Sequence, residues 1–463
     1  MQRLFAIAGL TWKAAFRFRL FLVVAVLLLA SVVGLPMVIK DDGTARGFTQ
    51  ILLTYTLSAI TGLLGLSTLW LSCGTLARDI EECQIQVVAT KPIARWQIWL
   101  GKWIGIMSLN ATLLALSGAC VYGLLQWRAA KLPAEEQKIL REQVLVARGS
   151  ARVQSYDAEI TAETERILQE RLKKSPVDKV DLPEVRKQIS EQVKADFQLV
   201  PPSYRREWQI DLGFAKNYLH NRPLQLRIKF NASQKSPSGT FGVLWQVGAP
   251  GTTNFWRTEE PMSLAPDTFH EFQIPPNLYD DHGVITIMVV NPNENTALLF
   301  PLEDGIEVLY PEGGFTLNFV RGLGIIFCWM ALLAALGLTA ASFLTFPVAT
   351  FFSLAILTVG LSSNTLSEAV EANTVTSGNG ETGVMGHSFV DVVLIPFFKG
   401  CLAVNHLVEN FSPIDSLSSG RSISWEELGA AFGQIVLVLG GFISLIGIVL
   451  FNRRELATAQ GNQ

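Results

Sequence analysis

The sequence is short of charge, histidine and cysteine, and each shortage excludes something. Charged residues make up 17% of the 463 and hydrophobic ones 49%. That balance is too apolar for an average soluble chain and too mixed for one built only of membrane spans. The long apolar runs hold almost no ionisable side chain, which argues against a proton-driven carrier. The five histidines supply neither a nucleophile–base pair nor a metal set, which weakens the case for a membrane hydrolase. Cys73, Cys83, Cys120, Cys328 and Cys401 all lie outside 128–313, so that stretch has no disulfide framework, and no pair has metal-ligand spacing. No Gly-x-x-x-x-Gly-Lys-Ser/Thr run exists, because Gly101-Lys102 is followed by Trp103, and the usual phosphate cradle is therefore missing. No catalytic residue, metal or cofactor is expected in this chain.

The charge that is present is concentrated. Residues 128–313 carry 22 of the 37 Lys+Arg and 26 of the 40 Asp+Glu. A soluble block is thus inserted into an apolar scaffold, and its slight acidic excess gives no electrostatic case for nucleic acid. Around it lie apolar runs near the roughly 20 residues that a crossing helix needs. They are Leu20–Ile39, Ile51–Leu76, Trp103–Trp127, Phe315–Ala341, Pro347–Leu361 (short) and Leu428–Phe451. The sequence therefore predicts a polytopic α-helical membrane protein with six spans. The first run does not read as a cleaved signal peptide, being too long and followed by no small-residue cleavage site.

Lys and Arg in short loops set orientation. Arg3, Lys13, Arg17 and Arg19 precede the first span, Arg78, Lys91, Arg95 and Lys102 lie between the second and third, and Arg453 and Arg454 follow the sixth. With six spans all ten share one side. This places both termini and the 78–102 loop in the cytoplasm, and 128–313 and the 362–427 loop outside. Arg128, Arg321, Lys399 and Arg421 run against the bias. The first 19 residues alternate basic groups with Leu4, Phe5, Ile7, Leu10, Trp12 and Phe16. They fit a helix lying in the headgroup plane or an ordinary positive flank of the first span. Spans four and five form a tight hairpin through the uncharged turn at Ser342–Phe346.

In the 78–102 loop, Asp79, Glu81 and Glu82 precede an apolar stripe at Ile85, Val87 and Val88, and Lys91-Pro92 breaks the chain. A second helix is expected from Ile93 through Gly101-Lys102 into the third span. By pattern alone this is a coupling element or a plain connector. The run Glu81, Glu82, Gln84, Val87-Val88-Ala89-Thr90-Lys91-Pro92-Ile93, Arg95, Gly101 and Lys102 resembles the coupling loop of permeases in the type-2, exporter-like ABC transporter superfamily. Those loops commonly join an acidic start, a Leu-Leu-Ala-x-Pro core, a basic residue and a closing Gly-Lys. Trp425-Glu-Glu before the last span and Asn452-Arg-Arg-Glu after it are similar to the same superfamily. The likeness covers about 1–127 and 315–456.

The resemblance implies a permease in the cytoplasmic (inner) membrane of a bacterium, working as a dimer with a second copy or a related permease. ATP and Mg would be bound and hydrolysed by a separate ABC ATPase subunit docked on the loop. Residues Lys13, Arg17 and Arg19 would belong to an elbow helix. The soluble insertion departs from the common pattern, so no substrate carries over.

Within the insertion, 128–205 reads as a helical segment. Ile139, Val146, Val153, Ile160 and Ile167 recur every seven residues, Gly149-Ser150 is a candidate break, and another helix is expected at 183–197. They read as a stalk or a surface packing pair. Residues 206–313 read as an antiparallel sandwich or jelly roll, with strands at 224–230, 240–247, 269–274 and 284–290 between turn signals. Trp245, Phe255, Trp256 and Tyr279 are core residues or a sugar-stacking platform. The rest, 314–463, holds the last three spans and the 362–427 loop, in which 390–407 is an interfacial or re-entrant element. His387 and Asp391, at i,i+4 spacing, lack a third ligand. Asn110 and Asn405 suit helix–helix hydrogen bonds or a lined path. The alternative to a permease is a non-transporting membrane anchor whose β domain binds glycan or an envelope protein.

Overall fold

The computed structural model describes residues 2–17, 20–38, 44–84, 93–153, 155–174, 182–249, 254–302, 304–371, 389–409 and 411–454. The chain forms two compact units, one of Met1–Ala147 with Gly313–Gln463 and the other of Arg148–Glu312. In chain order the principal helices are α1 (Gln2–Arg17), α2 (Leu20–Val38), α3 (Ala45–Glu81), α4 (Arg95–Ala129), α5 (Asp157–Lys174) and α6 (Leu182–Gln198). They continue with α7 (Phe315–Phe343), α8 (Phe346–Leu361), α9 (Ser363–Glu371), α10 (Phe389–Glu409) and α11 (Trp425–Arg453).

Four of these, α3, α4, α7 and α11, are long and apolar enough to cross a membrane, and the protein is a membrane protein with a separate β domain. The expectation of six spans is met only in part. The first run is α2, which passes the length test only when paired with α1, from which it is bent by 68°. The fifth is α8, whose 16 residues fall short of a full crossing. α8 is followed by α9 and α10, and Asn405 of α10 donates to the Gly360 carbonyl at 2.5 Å.

Helix α7 is the hub of the helical unit. Its inward stripe is built of small residues, with Ala331, Ala334, Ala335, Ala340 and Ala341 all nearly inaccessible. Small side chains let neighbouring backbones approach, which is how helices associate where water supplies no hydrophobic drive. A Cβ on Gly337 would overlap Ser72 of α3, and one on Gly65 of α3 would lie 3.3 Å from Leu333; α3 and α7 therefore run parallel. Tyr122 meets Thr316, and Trp103 Nε1 donates to the Ala331 carbonyl, so α4 is antiparallel to α7. Gly324 lies against Leu428, and Thr339 donates to the Ile443 carbonyl at 3.0 Å, so α11 runs parallel to α7. Inside the bundle, Asn110 donates to Thr68 at 2.9 Å, and Thr68 donates to the Leu64 carbonyl. That satisfies a polar pair that would be costly in a lipid surround.

α3 starts where Thr44 accepts from the Gly47 N–H and Glu136 accepts from the Ala45 N–H, filling donors that a helix start leaves open. At the insertion end of α7, Asn318 donates to the Arg421 carbonyl and accepts from Ile423 N–H. Arg321 donates to the Ile423 carbonyl and stacks 4.8 Å over Trp425, so the segment leading into α11 is pinned to the first two turns of α7.

The other unit is β-rich. β1 (Val146–Arg152), β2 (Leu199–Val200), β3 (Arg205–Asp211), β4 (Leu224–Ile228), β5 (Asn231–Ala232), β6 (Phe241–Gly248), β7 (Phe255–Arg257), β8 (Met262–Leu264), β9 (His270–Ile274), β10 (Val284–Val290), β11 (Leu298–Leu299) and β12 (Ile306–Gly314) form antiparallel sheets. One has the order β1-β12-β4-β9, a second β3-β10-β6-β7 with β8 on β6, and a small third β2-β11-β5. Alternate residues of the first two share one core. Leu224, Leu226, Ile228 and Val308 come from one side, and Trp208, Ile210, Trp245, Val247, Ile285 and Ile287 from the other. Period-two alternation, visible in the sequence at Leu224–Phe230, produces this face.

The seven-residue stripe is not one helical surface. Val146 opens β1, and Gly149 and Ser150 lie inside that strand rather than at a helix break. The reason is tertiary. Gly149 lies where a Cβ would overlap the Tyr310 ring, and β1 pairs with β12, so sheet formation overrides local periodicity. The face of that sheet opposite the shared core carries Arg148, Arg152, Arg227, Glu271 and Glu307, of which Arg148, Arg227 and Glu307 are buried. Arg148 bonds Glu271 at 2.8 Å, Arg152 bonds Glu307 at 2.9 Å, and Glu307 is 1% exposed. Charges taken out of water on this face are thus paired, as their burial requires. Helices α5 and α6 lie in the segment expected to be helical. They pair through Ile160, Leu168, Ile189 and Val193, with an ion pair between Arg186 and Glu165.

Candidate functional site

Four chain segments meet at the charged end of the helical unit, and their polar groups form a clasp. α3 runs on to Glu81 and α4 begins at Arg95, so the connection is shorter than 78–102. Gly101 and Lys102 lie inside α4, about two turns in. Lys102 is buried, and its Nζ donates to the Thr75 carbonyl at 2.7 Å and to Asp79 Oδ2 at 2.6 Å. This ammonium ties α4 to the last turn of α3, where helix carbonyls also favour a cation. Gly101 is a contact surface for α1, since a Cβ there would lie 2.8 Å from Ile7 Cβ, and Gly105 receives Thr11 in the same way.

Glu81 points the other way. Its Oε1 accepts the Phe346 backbone N–H at 2.8 Å, placing a carboxylate at the N-terminus of α8, where the helix dipole favours it. Arg78 stacks 4.4 Å over the Phe346 ring, and Trp70 meets the same ring edge-on at 5.3 Å. Arg95, at the start of α4, donates to the carbonyls of Phe451, Asn452 and Arg454, at 2.8–3.1 Å. Arg454 donates to Ala341 and Ser342 carbonyls at the end of α7. Two guanidiniums thus cap two helix C-termini, filling acceptors that would otherwise be open. The result is a single tie between α3, α4, α7, α8 and α11, beside the 82–94 connection.

Glu81, Glu82, Cys83 and Gln84 are exposed at this tie. Cys83 has a left-handed φ of 58°, which turns the chain off α3, and Gln84 donates to Glu82 at 2.6 Å. Lys91 and Pro92 lie outside the described residues, as do Ile85, Val87 and Val88. Of the elbow residues, Lys13 is on the exposed face of α1, Arg19 lies outside the described residues, and the Arg17 side chain is not described. α1 buries Ile7, Ala8, Thr11 and Ala15 and exposes Phe5, Leu10 and Phe16. It lies against α4, where Trp12 Nε1 donates to Ser108 at 2.6 Å.

In the β domain the aromatic platform does not assemble. Trp245 is 1% exposed and packed against Phe272 and Phe300, so neither ring face is open to a ligand. Trp256 and Tyr279 are half-buried against the same core, and only Phe255 is exposed. Burial raises the Tyr279 phenol above its ordinary value. His387 lies outside the described residues, and Asp391 is described only by its backbone. Among the described residues no three His, Cys, Asp or Glu come together as a metal site.

The residues that sequence patterns missed are the clasp's second halves. Asp79 and Arg454 were visible as charges, but Thr75, Phe346 and the 341–342 carbonyls carry no signal of their own. No family model matches this chain, and no curated protein matches it.

Proposed function

We propose that this chain is the transmembrane subunit of an ATP-driven, ABC-type complex. ATP would be hydrolysed on a separate ATPase subunit that docks on the exposed Glu81–Gln84 turn and the connection beyond it. The single observation that carries this reading is the clasp. A push on the 82–94 connection reaches α3 through Lys102 and Asp79, α8 through Glu81, and α11 through Arg95. A rigid tie immediately behind an exposed polar turn suits force transmission into a bundle better than it suits a passive connector. In this proposal α2, α3, α4, α7, α8 and α11 are the six spans, both termini and the clasp are cytoplasmic, and the β domain, with a jelly-roll-like arrangement, is extracytoplasmic. It would gate an exit or hand cargo or force to an envelope component, and two permease chains would work together. The anchor reading, with glycan stacked on Trp245, Trp256 and Tyr279, is disfavoured by the burial of Trp245.

The test is purification of the tagged full-length protein in mild detergent, with mass spectrometry and an ATPase assay. A nucleotide-binding subunit should co-purify and be lost with Glu82→Lys plus Gln84→Ala, both exposed and outside the tie. Recovery of the intact oligomer with no ATPase would end the permease reading.

A further inference from the structure

A cleft in the β unit serves neither its core nor the clasp. It encloses about 410 Å³ and is lined by Leu199, Pro201, Tyr204, Arg205, Arg206 and Glu207, a volume within the range of small-ligand sites. The Tyr204 ring is 67% exposed, yet its backbone is fixed. The Tyr204 N–H donates to the Pro201 carbonyl at 3.2 Å, and its carbonyl accepts from the Asn291 N–H at 2.9 Å. A ring presented from a fixed backbone offers contact area at low entropic cost. Arg206 is spent on the fold, donating to the carbonyls of Asp196 and Leu199. Arg205 and Glu207 flank it on the outer face of β3 and are exposed. Neither side chain is engaged by a hydrogen bond or an ion pair among the described residues.

The polar surface continues across the sheet. Glu207 stands opposite Met288, Met288 opposite Gln246, and Gln246 opposite Arg257, and opposed residues of antiparallel strands share a face. Glu207, Gln246 and Arg257 therefore form one line, about 14 Å long over three strand spacings, with Tyr204 and Arg205 beside its β3 end. The chemistry of this surface narrows the ligand. Arg205 and Arg257 balance Glu207 and Asp211, so a polymer of phosphates or carboxylates gains nothing by charge. An added β-strand is obstructed, because Val153 already bridges Ile210 of β3 and Arg206 reaches to the 196 and 199 carbonyls. Recognition is left to the side chains. They are an aromatic ring with an apolar face and planar carboxylate, carboxamide and guanidinium groups, each able to make two hydrogen bonds at once. A pyranose matches both kinds, having an apolar C–H face and adjacent hydroxyls spaced for a bidentate partner.

We propose that the cleft at Tyr204, continued along Glu207, Gln246 and Arg257, binds an uncharged glycan chain. One sugar ring stacks on Tyr204, and its adjacent hydroxyls bond Arg205 and Glu207. This surface is separate from the closed rings around Trp245, and the inference does not rest on the permease reading. The test is isothermal titration calorimetry of the full-length protein in lipid nanodiscs, free of sugar-headed detergent. The probes are cellohexaose, maltohexaose, laminarihexaose and mannohexaose, with hexagalacturonate as the charged comparison. At least one neutral hexasaccharide should bind. Tyr204→Ala should weaken it about 2- to 10-fold, the range for an aromatic contact, while Tyr204→Phe keeps the ring and most of the affinity. Glu207→Ala should weaken it about 10-fold or more, as the loss of hydrogen bonds to a charged group does. Both side chains are exposed, so neither variant should move the thermal midpoint. Binding of no neutral hexasaccharide would overturn the proposal. So would binding indifferent to both Tyr204→Ala and Glu207→Ala, or tighter binding of hexagalacturonate than of any neutral sugar. Each of these results leaves co-purification of an ATPase as a separate readout, so the glycan site and the permease reading can fail independently.

Discussion

Lys102 shows how much one side chain can decide. By composition it was a loop charge, and by position it is a buried cation serving the Thr75 carbonyl and Asp79 at once. Lys102→Met should lower stability by about 1.5–3 kcal/mol, the range for hydrogen bonds to charged groups. The low end is expected because Asp79 keeps 36% of its side chain exposed. Thermal unfolding in detergent measures this, and Asp79→Asn in the Lys102→Met background should add little further loss, since the pair is already broken. Two tyrosines of the β unit make a pH prediction. Burial raises the phenols of Tyr156 and Tyr279 above 10.0, and for Tyr156 the nearby Glu159 charge adds to it. The folded state therefore holds those protons more tightly than the unfolded state. The contribution is complete below pH 10 and is lost as pH rises through the higher folded values. Denaturant melts of the protein at pH 8 and above 10 should show that loss, and Tyr156→Phe with Tyr279→Phe should flatten it. An unaltered alkaline slope in the double variant would show that other groups carry it.

At the scale of elements, the α3–α7 contact is governed by what is missing from Gly337. Gly337→Ala drives a methyl into Ser72 and should cost about 1–3 kcal/mol by overpacking, read as a fall in the thermal midpoint. Ser72→Gly in the same chain should restore most of it. Failure of that rescue would mean that the strain lies elsewhere along the pair. The membrane-length helices were legible because long apolar runs have few alternatives. Their ends were not. α3 extends past Leu76 to Glu81 because Asp79 and Glu81 find partners on other helices, and a satisfied charge can remain helical; the start of α4 at Arg95, by contrast, lies close to the Ile93 expected after the Lys91-Pro92 break. The stripe through Val146 and Val153 had helical spacing, yet β1 formed there because a neighbouring strand offered more.

For the whole molecule, the placing of β1 beside β12 has a consequence for the insertion. The first and last strands of the β unit are neighbours in one sheet, so its two chain ends leave close together, as an insertion between two helices requires. The unit has its own core, and residues 146–314 expressed alone should unfold cooperatively with a β-type circular dichroism spectrum. A molten, non-cooperative transition would mean that the domain depends on the helices to fold.

Sequence alone determined the division of labour: apolar scaffold, inserted charged block, alternating strands at 224–230 and 284–290, and the absence of a phosphate-binding loop. These are properties of composition and period, and each can be read within about twenty residues. Only the tertiary structure decided which polar groups are engaged inside the helical unit. Glu82 and Gln84 remain exposed, while Lys102 is spent inside the bundle and Arg95 on the carbonyls of α11. It also decided that Trp245 is core. Burial and hydrogen bonding are relations between residues far apart in the chain, and no window along the sequence contains both members.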